Sequence, residues 1–293
     1  MIPLQAQDSP HLGYGVDPAS ADDPGIVEAG FDWTKTNQIP FTRLPTRVLV
    51  QLSVDASTLD DLEQWGNTLE ASARGAASRV EAYEIGNEPN LDDATGWAAP
   101  PDAAAYTELL CKAYQHIKEA DPSAIVVSAG LAPTGRVPFD WNGHQGYCTP
   151  DIPGCPQYYQ DEREFLREML QHGAAACFDA FGYHPHGFDA PFDAAPGSDA
   201  CGPNDFCFRG VEKLREILLD EFGVDKPIWA TDFGWIVSPN DVGRPECLND
   251  PAFRPFQWMV VSPEAQAENL AGAFEYAEEN YPWMRGMFVY RYG

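Results

Sequence analysis

Basic side chains are scarce in this 293-residue chain. Lysine and arginine together number 18, against 45 aspartate and glutamate residues, so the formal net charge is −27. A field of that sign repels nucleic acids and anionic membranes and disfavours polyanionic substrates. The balance therefore favours a neutral partner, although the same acidity also serves solubility alone.

Long apolar runs are also missing. A transmembrane helix needs about 20 consecutive apolar residues, and no stretch of the sequence comes near that length. The opening residues MIPLQAQDSP have neither the basic start nor the apolar centre of an intact signal peptide. We therefore expect no membrane partner, and a secreted form would have lost its signal before residue 1.

Seven cysteines are present, but none forms a Cys-x-x-Cys pair of the kind that binds zinc. Residues 148–155, CTPDIPGC, and residues 201–207, CGPNDFC, each begin and end with cysteine. Both segments predict a local disulfide and an oxidising compartment, extracellular or periplasmic. Cys111 and Cys177 are predicted to be buried thiols. Cys247 is unassigned, and the odd count leaves at least one thiol free or paired outside the chain.

Short apolar or β-branched runs alternate with helical patterns along the chain. The eight candidate strands are 12–17, 30–36, 47–54, 80–87, 124–130, 178–184, 227–234 and 286–292. Five segments between them repeat apolar residues at helical spacing, namely 58–79, 102–120, 161–173, 209–222 and 263–280. Strands that alternate with helices indicate parallel strands joined by crossovers. Eight of them predict an α/β fold, a (β/α)8 TIM barrel in one domain, residues 1–293.

Two helices of a full barrel are not predicted. Only ten residues, NQIPFTRLPT, separate the second and third strands, and their two prolines disfavour a helix. The sequence stops one residue after the eighth strand, so we expect no eighth helix. Long loops at 131–160, 185–208 and 235–262 follow strands five, six and seven, on the face where barrel enzymes hold their active sites. The sequence thus predicts a trimmed barrel with long loops around its mouth.

Two acidic residues lie at strand ends that should face each other across that mouth. Glu88, in YEIGNEPN, ends the fourth strand, and Asp232, in ATDFGW, ends the seventh. Glycoside hydrolysis needs such a pair, because one acid protonates the leaving oxygen while the other attacks the sugar or activates water. A single acid at a strand end is more often structural, for instance a helix cap. Burial beside a second carboxylate should raise the pKa of Glu88.

Three short motifs extend this interpretation: Asn87-Glu88-Pro89 on strand four, Tyr183-His184-Pro185 on strand six, and Thr231-Asp232-Phe233-Gly234-Trp235 on strand seven. With them, most of the chain resembles clan A of the glycoside hydrolases, the four-seven superfamily of retaining barrels, and most closely its cellulase-like families five and thirty-nine. The resemblance implies Glu88 as the acid/base, Asn87 as a ligand of the sugar 2-hydroxyl, and no cofactor. It also implies that His184 orients a carboxylate or the substrate and that Trp235 lines the cleft.

The chain departs from the family at the nucleophile. The family has glutamate in a Thr-Glu-Phe-Gly motif, where this chain has Asp232. One methylene fewer withdraws the carboxylate by about 1 Å, and a shift of that size can cost about a hundredfold in rate. Retaining enzymes hold their carboxyl groups about 5–5.5 Å apart and inverting enzymes about 6.5–9.5 Å. Three outcomes stay open: a weakened retaining enzyme, one that has drifted towards water attack, and an inactive relative.

Aromatic and basic side chains near the strand ends are further candidates for sugar contacts. On strand two, either Trp33 or Lys35 should point into the barrel mouth. Trp97 follows strand four and could stack on a more distant sugar. On strand eight, where the family has a tryptophan, Tyr290 or Tyr292 either provides a stacking face or packs the barrel wall.

His184 and His186 form a His-x-His motif, which metal-dependent barrel hydrolases also use. Those enzymes place the pair on the first strand, with further histidines on strands five and six, whereas strands one and five have none here. We therefore predict no metal, and His186 joins the candidate substrate contacts. A carbohydrate-binding barrel without activity is the other alternative, motivated by Asp232. The prediction is a secreted monomer that hydrolyses neutral β-linked glucan, xylan or mannan.

Overall fold

The computed structural model describes residues 12–134, 159–251 and 253–292. Its strands are β1 (Gly13–Pro18), β2 (Trp33–Thr36), β3 (Arg47–Leu52), β4 (Ala82–Ile85), β5 (Ile125–Ser128), β6 (Phe181–Tyr183), β7 (Ile228–Phe233), β8 (Ile236–Val237), β9 (Val260–Val261) and β10 (Met284–Tyr292). Its α-helices are α1 (Gly25–Glu28), α2 (Leu62–Ala76), α3 (Ala103–Ala120), α4 (Glu162–Gln171), α5 (Val211–Glu216) and α6 (Pro263–Asn280). Every strand and helix predicted from the sequence overlaps an observed one.

Eight of the strands form one parallel sheet. Their order is β5-β4-β3-β2-β1-β10-β7-β6. The two edge strands, β5 and β6, approach each other through single parallel bridges between Val127 and Ala180 and between Leu131 and Tyr183. The sheet is thus a nearly closed barrel with helices between its strands, which confirms the predicted TIM-barrel type. The short strands β8 and β9 pair with each other in the loop region that follows β7.

The connection between β2 and β3 contains no helix over residues 37–46, as predicted. Prolines at positions 40 and 45 explain this, because each lacks the backbone donor that a helix interior needs. Leu44 is buried in the main hydrophobic core, and Ile39 packs partly buried against it. An irregular segment therefore covers the barrel flank that helices cover elsewhere.

The helices turn one apolar face to the strands. In α3, the side chain of Asp102 caps the first turn by accepting a 2.9 Å hydrogen bond from the Ala105 backbone. The apolar stripe predicted from the sequence lies against the barrel, with Tyr106, Leu109 and Ile117 buried. In the described ranges no helix is both long enough and apolar enough to cross a membrane.

Aromatic side chains fill the amino-terminal half of the barrel interior. Trp33 lies edge-on to Trp229 with 5.1 Å between ring centroids, and Phe288 stacks on Trp229 at 5.9 Å. A Cβ atom at Gly15 would approach the Phe288 ring to 2.3 Å, so the ring can occupy this space only beside a glycine. Because this layer is tightly filled, the interior can open only above it, at the carboxyl ends of the strands.

The disulfides correct part of the sequence interpretation. Cys201 and Cys207 are bonded, as predicted. Cys111 and Cys177 were predicted to be buried thiols, and this is wrong, because they form a disulfide between α3 and the segment before β6. Their separation of 66 residues carries no local signal, and only packing brings their Cα atoms to 4.7 Å. Cys247 has no disulfide partner within the described ranges, and the pair predicted over 148–155 lies outside them.

Candidate active site

A tight turn after β4 carries Glu88 to the rim of the barrel. The strand ends at Ile85, and Gly86 then adopts φ +94°. Glu88 itself has φ +42°, in the left-handed region that costs a residue with a side chain about 1–3 kcal/mol. Its backbone N–H donates a 3.0 Å hydrogen bond to the carbonyl of Gly130, which follows β5. The neighbouring strand therefore holds Glu88 in a conformation that it would otherwise avoid.

A cavity of about 750 Å³ opens at the carboxyl ends of the strands. Glu88 and Asp232 both line it, as the position of the strand ends predicts. Its other lining residues include Asp17, Lys35, Gln51, Asp55, Asn87, Thr95, His186 and Tyr290. Polar and charged groups dominate this wall, and Tyr290 and His186 are the only aromatic rings in it within the described part of the chain.

One histidine connects the two carboxyl groups. His184 Nδ1 lies 2.7 Å from Glu88 Oε1, and its Nε2 lies 3.6 Å from Asp232 Oδ2. The imidazole is buried, with 1% of its side chain exposed. A Cβ atom on Gly130 would come within 2.1 Å of Nε2, so the ring needs a glycine at that position. His184, in the turn after β6, thus joins Glu88 from the turn after β4 to Asp232 on β7.

A buried lysine lies beneath this histidine. Lys35 Nζ is 2.8 Å from Asp232 Oδ1, 3.0 Å from Glu84 Oε2, and 3.1 Å from the carbonyl oxygen of Thr231. Lys35 is two residues beyond Trp33 on β2, so both side chains point into the barrel. Trp33 belongs to the filled layer, whereas Lys35 lies one layer higher and reaches the cavity.

Mutual attraction keeps the buried groups charged. Burial alone would lower the pKa of Lys35, but the carboxylates of Asp232 and Glu84 outweigh burial and raise it. Burial would raise the pKa of Glu84, yet Lys35 and His184 lower it to about 2. Burial would lower the pKa of His184, whereas Asp232, Glu84 and Glu88 raise it to about 9. At neutral pH the imidazolium therefore donates a hydrogen bond from Nδ1 to the Glu88 carboxylate.

The ionisation of Glu88 differs from the sequence prediction. A raised pKa was expected from burial, and burial does act in that direction. The hydrogen bond and positive charge of His184 outweigh it, so the pKa of Glu88 falls below its ordinary value. In the free protein, Glu88 is therefore a carboxylate. The prediction failed because it considered the second carboxylate and not the cation between the two.

Glu84 was not singled out from the sequence. On β4, Ala82 and Glu84 face the barrel interior, while Tyr83 and Ile85 face the outer core. Besides the ion pair with Lys35, Glu84 accepts a 3.0 Å hydrogen bond from the Gly130 backbone. Strand alternation could have identified Glu84, because it places this residue on the inward face of β4. A carboxylate buried there needs a cation as its partner.

The remaining candidates divide into two groups. Asn87 lines the cavity, where its Oδ1 accepts a 3.0 Å hydrogen bond from Gln51, and Tyr290 lines it with half its surface exposed. Three predicted sugar contacts are buried tryptophans that are not among the lining residues, namely Trp33, Trp97 and Trp235. Trp97 packs edge-on to Tyr106, and the Trp235 indole donates to the carbonyl of Ala190. The side chain of Tyr292 lies outside the described part.

Three groups at the mouth could hold a metal ion. Glu88, His184 and His186 each place one ligand atom within 4.8 Å of the others. Two imidazoles and one carboxylate form a donor set suited to zinc or iron. A metal would have to replace the hydrogen bond between His184 and Glu88, so the arrangement as it stands is a hydrogen-bonded ion pair.

No protein-family profile and no curated protein matches the sequence. Among solved structures, the fold is similar to that of a GH128 (subgroup II) endo-β-1,3-glucanase from Sorangium cellulosum, with TM-score 0.54 and 17% identity, covering 96% of this chain and 86% of that one. It is also similar to a family 39 glycoside hydrolase from the gut symbiont Bacteroides cellulosilyticus WH2, with TM-score 0.55 and 16% identity, covering 96% of this chain and 56% of that one. A glucosidase from Croceicoccus marinus gives TM-score 0.57 and 14% identity, covering 95% and 58%. At these identities the similarity is one of fold, and the neighbours that share this parallel barrel are glycoside hydrolases.

Proposed function

We propose that the protein hydrolyses O-glycosidic bonds in neutral β-linked oligo- or polysaccharides, in the manner of clan A glycoside hydrolases. The observation that supports this is the pair of carboxyl groups, Glu88 and Asp232, which line one cavity and contact opposite sides of the same imidazole. The fold of the structural neighbours agrees with it. We also propose that the protein is a monomer and that it acts outside the cytoplasm. The two disulfide bonds support the second of these proposals.

The proposed reaction is a double displacement with retention. Asp232 attacks the anomeric carbon while Glu88 gives a proton to the leaving oxygen, so the glycosidic bond breaks as the aspartyl ester forms. Water then attacks the same carbon, Glu88 takes its proton, and the ester bond breaks to restore Asp232. Asn87, which lines the cavity beside Glu88, is the proposed partner of the sugar 2-hydroxyl.

Lys35 gives the two oxygens of Asp232 different roles. Oδ1 accepts the 2.8 Å hydrogen bond from the ammonium group, whereas Oδ2 faces His184 at 3.6 Å. We assign the attack to Oδ2, because it is not the oxygen that Lys35 binds. The ion pair also holds the shorter aspartate in one position, which matters because a misplacement of about 1 Å costs about a hundredfold in rate.

Glu88 must take up a proton before the first step. Its pKa is lowered in the free protein, so the protonated form becomes common only at acidic pH. A bound sugar that excludes water disfavours the charged carboxylate and favours uptake of that proton. We therefore expect activity to be highest at acidic pH and to decline towards neutral pH.

Hydrolysis of aryl β-glucosides, β-xylosides and β-mannosides tests the proposal. Glu88→Ala and Asp232→Ala should each lower kcat/KM by about 10²–10⁴-fold, and proton NMR should show the β-anomer as the first product. An α-anomer as the first product would contradict the aspartyl ester and would indicate direct attack by water. If wild type and Asp232→Glu are both inactive but still bind oligosaccharides, the protein is a carbohydrate-binding barrel instead.

A metal-dependent hydrolase is the second candidate, favoured by the cluster of Glu88, His184 and His186. In that case a chelator would abolish hydrolysis, and added zinc would restore it. The proposed double displacement requires activity that is unchanged by the chelator, together with a metal-free purified protein.

A further inference from the structure

Three aromatic side chains form a stack beside the cavity, and we refer to Phe188, Phe206 and Trp258 as the rim stack. The ring centroids of Phe188 and Phe206 are 4.6 Å apart, and those of Phe188 and Trp258 are 5.5 Å apart with 14° between the planes. Phe188 lies in the loop after β6, and Trp258 lies in the short 3-10 helix Arg254–Met259, in the loop region after β7. Both loops leave the carboxyl ends of their strands, so the stack lies on the face that contains the cavity.

The rim stack is buried at Phe188 and exposed to solvent at Trp258. Phe188 is 7% exposed, whereas Trp258 is 45% exposed. One face of the indole is therefore covered by a nearly parallel phenyl ring, and a large part of the remaining surface meets solvent. An indole supported in this way presents a flat apolar face at little further cost in side-chain entropy, since its orientation is already set.

The backbone that supports the stack is strained. Phe188 has φ +55°, in the left-handed region that aromatic residues rarely adopt. The N–H of the preceding Gly187 donates a 3.0 Å hydrogen bond to the carbonyl of Gly234, the residue that follows β7. Backbone strain of this kind persists where the surrounding structure holds it, and it is concentrated at ligand sites.

Ring contacts join the stack to the catalytic centre. His184 and His186 have centroids 5.9 Å apart, and His186 meets Phe188 edge-on at 6.5 Å. His186 also lines the cavity. Trp258 therefore lies two ring contacts outward from a cavity residue, on the β6–β7 side of the mouth.

We propose that the exposed face of Trp258 is an outer sugar-binding subsite, on which a pyranose ring of a β-linked chain stacks while another unit of that chain occupies the cavity. A single indole at a cavity rim matches the apolar face of one pyranose ring, whereas a protein partner needs a far larger surface. The proposal rests on the proposed function and narrows its substrate class to oligo- and polysaccharides, because a glycoside with one sugar unit cannot fill both places.

Aryl β-glycosides with one, three and five sugar units, from the gluco-, xylo- and manno- series, test the subsite. Trp258→Ala should lower kcat/KM for the longest cleaved substrate by about tenfold and leave the single-unit substrate within about twofold. Trp258→Phe should recover much of the loss, because it restores a flat ring. Phe41→Ala, which removes a 96% exposed aromatic that is not among the cavity-lining residues, is the matched control.

Equal loss on short and long substrates, or no loss on either, would overturn the subsite. If wild type cleaves none of the substrates, the proposed function fails while the subsite remains testable. Binding of the five-unit oligosaccharides is then measured by calorimetry. Affinity about tenfold weaker in Trp258→Ala supports the subsite, and equal affinity, or no binding by wild type, overturns it.

Discussion

Two clusters of largely buried charged side chains in the described part of the chain behave in opposite ways. The mouth cluster lies at the carboxyl ends of the barrel strands and consists of Lys35, Glu84, Glu88, His184 and Asp232. The loop cluster lies at the start of α4 and consists of Asp161, Glu162, Arg163 and Asp205. Glu84 is fully buried and Glu162 is 2% exposed, so burial alone does not distinguish them.

The difference lies in the cations. The mouth cluster has an ammonium and an imidazolium among three carboxyl groups, and these cations lower the pKa of Glu84 to about 2. The loop cluster has one guanidinium, that of Arg163. It lies 3.0 Å from Asp205 but at the longer distance of 3.7 Å from Glu162. Burial and the charge of Asp161 therefore raise the pKa of Glu162 to about 7. The mouth cluster is ionised and faces a cavity, whereas the loop cluster ties α4 to the loop around residues 201–207.

Removal of Lys35 should break the mouth cluster most severely. Lys35→Met leaves Glu84 and Asp232 without their ammonium, so we expect a loss of about 3–5 kcal/mol in the free energy of unfolding. Displacement of Asp232 should lower kcat/KM by at least about a hundredfold. Urea denaturation and aryl β-glycoside hydrolysis measure the two effects.

The matched control is Lys112→Met, which removes the exposed ion pair with Glu63. It should change stability by less than about 1 kcal/mol and leave hydrolysis unchanged. If Lys35→Met does not fold, Lys35→Arg keeps the charge and should fold with reduced activity. Wild-type kinetics in a folded Lys35→Met protein would contradict the role given to this residue.

Two matched glutamate-to-glutamine substitutions sharpen the comparison through stability. The lowered pKa of Glu84 stabilises the protein above the ordinary value of 4.5, and this stabilisation is lost as pH falls towards 2. The raised pKa of Glu162 acts in the opposite sense, because stability falls as pH rises from 4.5 to about 7. Relative to wild type, Glu84→Gln should therefore lose stability above pH 4.5 and Glu162→Gln should gain it near pH 7, each by up to about 3 kcal/mol.

Urea denaturation at a series of pH values measures both slopes. Glu162→Gln should also leave hydrolysis within about twofold, because Glu162 is not among the residues that line the cavity. If the free energy of unfolding, relative to wild type, changed with pH in the same direction in both variants, the two clusters would not differ as proposed.

The smallest expected effect is a shift in the pH profile of hydrolysis. The positive charge on His184 helps to hold the pKa of Glu88 down, so His184→Asn should raise that pKa. The decline of kcat/KM towards neutral pH should then move upward by about one pH unit. His116→Asn, at the buried histidine that contacts Glu70, should leave the profile in place. A profile that does not move in His184→Asn would exclude the coupling of His184 to Glu88.

The order of strands and helices could be predicted because the spacing of apolar residues within each segment indicates its secondary structure. The apolar stripe of α3 is such a local pattern, and the observed helix buries it. The position of Glu88 and Asp232 at one mouth follows from parallel topology alone, since the carboxyl ends of all barrel strands point the same way.

What the sequence did not reveal depends on distances between remote residues. The disulfide between Cys111 and Cys177, the ion pair of Glu84 with Lys35, and the cation beside Glu88 each join elements far apart in the chain. Electrostatic energy varies with separation and with burial, and neither is encoded in a local pattern. The sequence therefore determined which strand ends carry the acids. Only the tertiary structure decided that His184 lies between Glu88 and Asp232 and that Lys35 binds Asp232 and Glu84. With those contacts it decided the lowered pKa of Glu84 and of Glu88.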